Sequence, residues 1–192
     1  MQELPATAPV FLVGPMGAGK TTIGKALASA LGRSFLDHDD LIVNLMHMSI
    51  PDIFAQYGEP FFRDLEHDCL RLLLTGDFSR FSREQLYAAI GSDKLPAVIA
   101  GGGGIAMRAD NRALIKEHAQ CLYLHIDVEA QYQRVKDDTN RPMIYVDDIK
   151  GRLSELFTKR DPQWREIAHA IIEADDSIAH IVQKCQVALA LK

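Results

Sequence analysis

Short apolar runs alternate along the chain with longer segments in which apolar residues recur every three or four positions. The first pattern predicts buried β-strands, and the second predicts amphipathic α-helices. The predicted strands are residues 9–14, 34–39, 95–104, 120–127 and 168–175. Buried strands separated by helices are typical of a parallel sheet covered on both faces. The pattern therefore predicts a three-layer α/β/α fold around a central five-stranded parallel sheet.

Helical patterns occupy most of the chain between these strands. The predicted helices are residues 20–31, 40–48, 51–57, 60–74, 108–118, 128–136, 149–159, a further one starting near Pro162, and 177–191. Residues 75–94 do not fit the alternation and form an insertion that could hold an extra helix flanked by turns. Since we find no internal repeat and no low-complexity tract, we expect one domain over residues 1–192.

Charge and cysteine content narrow the class of protein. Acidic residues outnumber basic residues 26 to 21, which gives a formal net charge of -5 and no sign of the basic face that nucleic acid requires. Cys69, Cys121 and Cys185 lie far apart and suit reduced thiols in a reducing compartment. We find no secretory signal and no run of membrane-spanning length. We therefore expect a cytoplasmic monomer without a nucleic-acid or membrane partner.

The stretch "GPMGAGKT" follows the first predicted strand and opens the first predicted helix. It fits the phosphate-loop pattern G-x-x-x-x-G-K-[ST], in which backbone N–H groups and the helix N-terminus surround an anion. Lys20 would reach the β- and γ-phosphates, and the Thr21 hydroxyl would ligate Mg²⁺. The pattern predicts that ATP and Mg²⁺ bind here, with nucleotide-binding residues Gly14, Gly17, Ala18, Gly19, Lys20, Thr21 and Thr22.

Candidate residues for binding the molecule that accepts the phosphate lie at the ends of two predicted strands and on one predicted helix. Asp37 and Asp39 are separated by one residue and would point the same way in an extended segment, although helix capping is an equal alternative. One carboxylate could hold the magnesium shell and the other could accept a proton. Arg63 and Glu66 share a helix face, where an exposed ion pair is the alternative. The four glycines 101–104 exceed what a turn needs and favour close approach to a hydroxylated substrate.

From Val10 to Asp176 the chain resembles the shikimate kinases. The matching stretches occur in the family's order and are "GPMGAGKTTIG", "FLDHDDLI", "IPDIFAQYGEPFFRDLE", "VIAGGGG", "NRPMI" and "RDPQWREIA". The resemblance implies a P-loop kinase fold of the nucleoside-monophosphate-kinase type. It also implies transfer of the γ-phosphate of ATP to the 3-hydroxyl of shikimate, a step of aromatic amino-acid synthesis.

The resemblance assigns roles residue by residue. It implies that Asp39 contacts the accepting hydroxyl and that Asp37 lies near magnesium. It also implies that Arg63, oriented by Glu66, and Arg160 bind the substrate carboxylate. The other implied positions are Gly102, Gly103 and Gly104 in the substrate pocket, Arg134 beside adenine, and Arg141 in a lid over residues 137–148. The implied catalytic residues are Lys20, Asp39 and Arg141.

Some positions depart from the family's pattern. Trp164 stands where a tyrosine is usual, Gly101 where threonine is common, and Glu173 where many members carry a basic residue near adenine. Residues 75–94 are longer than the usual connection.

Two other functions stay open at this point. One is a kinase for another small hydroxylated acid, such as gluconate, and the other is a nucleotide-binding module that has lost transfer. The seven histidines form no ligand set and are interpreted as surface or hydrogen-bonded residues, with His38 pointing away from the paired carboxylates.

Overall fold

A computed structural model describes residues 4–5, 7–92, 95, 97–136 and 148–190. Within these residues five strands form one parallel sheet in the order β2-β3-β1-β4-β5. The strands are β1 (Val10–Val13), β2 (Phe35–Asp37), β3 (Val98–Ala100), β4 (Gln120–His125) and β5 (Ala170–Glu173). The predicted sheet is confirmed. Each strand is shorter than its predicted segment, because pairing ends before the flanking turns begin.

Eight α-helices and one 3₁₀ helix are present among the described residues. The α-helices are α1 (Lys20–Leu31), α2 (His38–Met46), α3 (Ile50–Thr75), α4 (Arg83–Ile90), α5 (Ala109–His118), α6 (Val128–Val135), α7 (Ile149–Ile167) and α8 (Ile178–Ala190). The 3₁₀ helix, Ile105–Met107, directly follows the glycine run after β3.

Both faces of the sheet are covered by helices, which gives the predicted three layers. Phe11 and Val13 of β1 face one apolar cluster, whose other buried members lie mainly on α2, α3, α5 and α7. Val10 and Leu12 face a second cluster, whose helical members lie on α1 and α8. Because neighbouring residues of β1 supply both clusters, the central strand is buried on both sides.

Two positions test the predicted helix ends, and only one of them agrees with the structure. Gly58, with φ 81° and ψ 170°, breaks α3 where the sequence predicts a helix end. In contrast, the prediction of separate helices on either side of Pro162 is wrong, because α7 runs through this residue without interruption. Leu156 and Trp164 are both buried, so packing of the two halves against the core outweighs the hydrogen bond that proline cannot make.

The predicted extra helix in the insertion is α4. Ser82 caps it and forms a capping box with Gln85. The Asn44 side chain on α2 donates a hydrogen bond to the Ala89 carbonyl at 3.0 Å. An open groove of about 740 Å³ lies between α2 and α4, and the described residues that line it include no acidic residue, lysine or arginine.

No helix in the described ranges is both long and apolar enough to cross a membrane. All three cysteines are buried and unpaired. Burial raises the pKa of Cys69 to about 12 and that of Cys185 to about 11, so these thiols stay protonated and behave as small apolar groups.

Candidate active site

The phosphate loop lies at the carboxyl end of β1, next to the point where the order of the strands reverses. In open parallel sheets this is the usual place for a ligand. Gly14 has φ 146° and lies so close to the Leu124 carbonyl of β4 that a side chain would collide with backbone. Gly19, with φ 82°, is the residue before α1. Glycine is needed at both positions, so the sequence signal for a phosphate loop has a direct steric cause.

Lys20 folds back over this loop. Its Nζ atom donates hydrogen bonds to the carbonyls of Gly14 and Pro15, each at 2.9 Å. The Thr22 side chain is exposed. The Ala18 side chain is fully buried, and its N–H donates to the Pro15 carbonyl at 3.3 Å. Ala18 can therefore contribute to a nucleotide site only through its backbone.

Thr21 and Asp37, the two predicted magnesium ligands, meet in the structure. The Thr21 hydroxyl donates a hydrogen bond to Asp37 Oδ2 at 2.7 Å. Mg²⁺ prefers oxygen ligands and usually takes only one or two from the protein, with water and phosphate supplying the rest. A neighbouring hydroxyl and carboxylate fit that requirement. No group of three or more His, Cys, Asp or Glu residues within the described ranges could hold a metal ion.

Asp37 and Asp39 lie close together, but not for the predicted reason. β2 ends at Asp37, and Asp39 lies in the first turn of α2 instead of continuing an extended segment. Asp37 caps the helix, since its Oδ1 accepts a hydrogen bond from the Asp39 N–H at 3.1 Å. The capping residue is thus Asp37, whereas the sequence suggested Asp39 and Asp40 ahead of the helix. Capping and magnesium binding are compatible at Asp37, because its two oxygens have different partners.

The interpretation of His38 as a surface or hydrogen-bonded residue is wrong. Its side chain is fully buried, and neither ring nitrogen has a hydrogen-bond partner among the described residues. Burial lowers the pKa of His38 to about 4, although the charge of Asp37 opposes this. The cause is the early start of α2, because helical geometry turns the residue between the two carboxylates into the protein interior.

Asp39 is a carboxylate in an unfavourable environment. Burial is the main cause that raises its pKa to about 6, and the charges of Asp37 and Glu66 add to the effect, whereas Lys20 opposes it. A carboxylate with a pKa near 6 is close to the range in which it can accept a proton at physiological pH.

Gly102, Gly103 and Gly104, the last three of the four glycines after β3, lie near the predicted acceptor residues. A Cβ atom on Gly102 would lie 2.6 Å from Asp39 Oδ1, and one on Gly104 would lie 2.8 Å from Arg63 Nη1. On Gly103 it would reach Arg160 Nη1 only at 3.7 Å. The close approaches at Gly102 and Gly104 explain why glycine stands there, because a larger residue would displace the Asp39 carboxylate or the Arg63 guanidinium.

Arg63 is held by two carboxylates of its own helix. Its Nη1 donates to Glu66 Oε2 at 2.9 Å, and its Nε and Nη2 donate to Glu59 Oε1 at 3.3 and 3.2 Å. The Glu66 side chain is only 2% exposed, so this is not the exposed ion pair that the sequence left open. Glu59 was missed at the sequence level, although its spacing of four residues from Arg63 is a detectable signal.

Arg160 projects from α7 toward the glycine run, with Nη1 3.5 Å from the Gly103 carbonyl. Among the described residues it has no ion pair with a carboxylate. Burial, and then the positive charges of Arg63 and Arg152, lower the pKa of Arg160. Guanidinium groups remain charged even so, and two of them bordering one glycine run form a site that suits an anionic ligand.

Arg134, the predicted adenine contact, lies on α6 and bonds to two backbone carbonyls. Its Nη1 donates to the Gly17 carbonyl at 3.1 Å, and its Nη2 donates to the Ala174 carbonyl at 2.8 Å. It therefore joins the phosphate loop to the segment after β5. Glu173 lies at the end of β5, and its Oε2 atom is 2.7 Å from His125 Nδ1 at the end of β4. This contact gives the unusual acidic residue a partner within the protein.

Two other departures from the expected pattern are explained by packing. A Cβ atom on Gly101 would lie 2.6 Å from the Phe11 ring and 3.1 Å from Ile105, so a threonine does not fit. Trp164 is buried against Tyr123, with the ring centroids 5.5 Å apart. Arg141 and residues 137–147 of the predicted lid lie outside the described residues.

This fold and site define a P-loop phosphotransferase, in which Asp37 links a phosphate loop to a pocket lined by a carboxylate and two arginines. The sequence profile of the family described as "Shikimate kinase" matches residues 16–82 and 76–190. The chain belongs to the shikimate kinase family.

Individual relatives agree with this assignment. A shikimate kinase of Acinetobacter baylyi is 39% identical over 170 residues, which are 88% of this chain and 84% of that protein. The structure of shikimate kinase from Acinetobacter baumannii in complex with shikimate has a TM-score of 0.81 and 37% identity, covering 98% of this chain and all of the other. A gluconokinase of Sinorhizobium meliloti has a TM-score of 0.58 at 18% identity, over 96% of this chain and 92% of that one, and shares the fold alone.

The raised pKa of Asp39 predicts a gain in stability when this residue can no longer ionise. An aspartate in an unfolded chain has a pKa of about 3.9, whereas the folded pKa is about 6. The native state therefore holds the proton more tightly. Asp39 destabilises the wild type, and this destabilisation grows as the pH rises from the unfolded to the folded pKa. We expect Asp39→Asn to raise the free energy of unfolding by about 1–3 kcal/mol at about pH 8, with little gain at about pH 4.

The measurement is chemical denaturation without nucleotide or metal. Asp175→Asn, which removes an exposed carboxylate after β5, is the matched control and should show no such gain. If the gain for Asp39→Asn does not depend on pH, burial of charge is not its cause.

The glycine run predicts three different outcomes for three neighbouring substitutions. Gly102→Ala should lower kcat about tenfold or more, because it displaces Asp39. Gly104→Ala should chiefly raise the KM for shikimate, because it displaces the Arg63 guanidinium. Gly103→Ala is the matched control, since its added carbon makes only an ordinary contact. Steady-state kinetics would contradict the assignment if Gly103→Ala were the most damaging of the three.

Proposed function

We propose that this chain transfers the γ-phosphoryl group of ATP to the 3-hydroxyl of shikimate, with Mg²⁺ as the metal ion. The observation that carries the proposal is the set of neighbours along one glycine run. Asp39 lies against Gly102, while Arg63 and Arg160 lie against Gly104 and Gly103. A single loop thus borders both a proton acceptor and two carboxylate-binding groups, which suits an acceptor that is an alcohol and an acid at once.

At the nucleotide end, the phosphate loop would hold the β- and γ-phosphates. Lys20 places its charge at the mouth of this loop through its bonds to Gly14 and Pro15. The N-terminus of α1 adds the positive end of its dipole. Thr21 and Asp37 would hold Mg²⁺, which neutralises phosphate charge when bound.

At the acceptor end, Arg63 and Arg160 would bind the shikimate carboxylate. Guanidinium groups suit this task because they donate paired, planar hydrogen bonds. Glu66 fixes Arg63 through a nearly buried ion pair, so little side-chain entropy remains to be lost on binding. Asp39 would orient the 3-hydroxyl and accept its proton, a role favoured by a pKa near 6.

Two further arginines complete the proposed site. Arg134 would lie beside adenine, because it already joins the phosphate loop to the segment after β5. Arg141 would reach the phosphates from a lid over residues 137–148. That assignment is supported by the sequence, which is polar there and contains Pro142. Together with Lys20, Arg141 would neutralise the charge of the transferring group.

We also propose that the protein acts as a cytoplasmic monomer. In support, the described residues of both halves of the site come from one chain, and all three cysteines are unpaired. Sedimentation at the protein concentration of the kinetic assay would measure the oligomeric state.

The proposed activity is tested by ADP release from ATP and Mg²⁺. We expect release that depends on shikimate and saturates with it, and no more than background release with gluconate. Faster turnover on gluconate would favour a kinase for a different acid. Binding of ATP without turnover on either compound would indicate a module that has lost transfer.

The role of Arg63 predicts a selective loss of acceptor binding. Hydrogen bonds to charged groups contribute about 1.5–3 kcal/mol, so Arg63→Ala should raise the KM for shikimate about ten- to hundredfold. The KM for ATP should change by less than about twofold, since the nucleotide makes no use of this residue. Arg83→Ala, which removes an exposed arginine from α4, is the control. An unchanged KM for shikimate would refute the assignment.

A further inference from the structure

Three side chains at the start of α5 contact all three segments that form the acceptor pocket. These segments are the α3 helix around Arg63, the glycine run with its 3₁₀ helix, and the α7 helix that carries Arg160. They are distant in the sequence, so the chain connection alone does not fix their relative positions. The three side chains are Arg108, Asn111 and Arg112.

Arg108 holds the backbone of Arg63. Its Nη1 donates hydrogen bonds to the Arg63 carbonyl at 3.0 Å and to Asp64 Oδ1 at 2.7 Å. Its Nε and Nη2 donate to the two oxygens of Asp110, at 3.0 and 2.7 Å, which fixes the plane of the guanidinium. Glu59 and Glu66 orient the side chain of Arg63, and Arg108 restrains the turn of helix from which that side chain projects.

Asn111 connects the 3₁₀ helix that follows the glycine run to α3. It is fully buried, and its Nδ2 donates to the Ile105 carbonyl at 2.9 Å. Its Oδ1 lies 2.7 Å from His67 Nδ1. An amide oxygen can only accept, so His67 donates from Nδ1. Since His67 lies one turn after Arg63, this bond restrains α3 at a second point.

Arg112 connects the 3₁₀ helix that follows the glycine run to α7. Its Nη1 donates to the carbonyls of Ala106 and Met107, at 3.0 and 3.2 Å. Its Nε donates to Glu166 Oε2 at 2.8 Å. Glu166 follows Arg160 by six residues on α7. Arg112, which directly follows Asn111 in the sequence, therefore restrains α7, the helix that carries Arg160.

We propose that Arg108, Asn111 and Arg112 are positioning residues that set the distance and angle between Arg63, the glycine run and Arg160. The inference rests on the proposed roles of these two arginines in binding the acceptor carboxylate. Paired hydrogen bonds to a carboxylate demand accurate placement, and errors of about 1 Å in such a site can cost much of its binding or rate. Arginine suits the connection because its planar fork reaches a carbonyl and two carboxylates at once, which lysine cannot do.

The first test is Arg108→Gln with steady-state kinetics. We expect the KM for shikimate to rise about five- to twentyfold, while the KM for ATP stays within about twofold of the wild type. The matched control is Arg80→Gln. Arg80 pairs with Asp68 at 2.6 Å, one turn along α3 from Asp64, and is 31% exposed against 30% for Arg108. It should leave the KM for shikimate unchanged.

If the KM for shikimate rose equally in Arg108→Gln and Arg80→Gln, the loss of any ion pair on α3 would have this effect. That result would overturn the proposal. Arg108→Lys keeps the charge without the fork and should give an increase of about threefold or more. If Arg108→Gln does not fold, this variant decides the question, and a wild-type KM for shikimate would overturn the proposal.

A double-mutant cycle separates this inference from the function on which it rests. In an Arg63→Ala background, Arg108→Gln should change kcat/KM for shikimate by less than about twofold, because it acts through Arg63. Fully additive effects would overturn the inference. A raised KM in Arg63→Ala beside a normal one in Arg108→Gln would refute the positioning role alone. A normal KM in Arg63→Ala would refute the binding role of Arg63, and the inference with it.

Discussion

The geometry of the site depends on the hydrogen bonds accepted by one carboxylate, that of Asp37. One of its oxygens accepts from the Thr21 hydroxyl at the start of α1, and the other accepts from the Asp39 N–H in the first turn of α2. β1 and β2 are not neighbours in the sheet, because β3 lies between them. One side chain, Asp37, thus joins the phosphate loop to Asp39 across the intervening strand. The spacing between the loop and Asp39 is therefore set by the protein itself.

The same arrangement brings like charges together. Asp39 lies in the field of Asp37 and Glu66, and Arg160 lies in the field of Arg63 and Arg152. Both arrangements cost stability, since charges that would be well solvated apart are partly buried together. In the proposed function, the acceptor's carboxylate would supply the opposite charge for Arg63 and Arg160, and Mg²⁺ would supply it for Asp37. Part of the binding energy would then come from relieving this repulsion. The apolar clusters on both faces of the sheet provide the stability that tolerates it.

Local patterns predicted most of the fold and the nucleotide half of the site. The five strands and the phosphate loop are encoded in consecutive residues, so the period of apolar positions and the glycine spacing suffice to find them. Errors arose where tertiary packing decided the outcome. α7 continues through Pro162 because its far end is anchored by Trp164, and His38 is buried because a helix cap moves the start of α2. The bonds from α5 to α3 and α7 join residues 44 to 54 positions apart and leave no periodic signal.

The contact between Phe11 and Gly101 has a consequence for how this sequence can change over evolutionary time. Phe11 is a fully buried residue of β1, and its ring fills the space that a side chain at position 101 would need. A hydroxyl-bearing residue can therefore be accepted at position 101 only after the aromatic ring has been replaced by something smaller. The two positions are epistatic, and the order of substitutions is constrained: the interior of β1 must change before the surface of the neighbouring pocket.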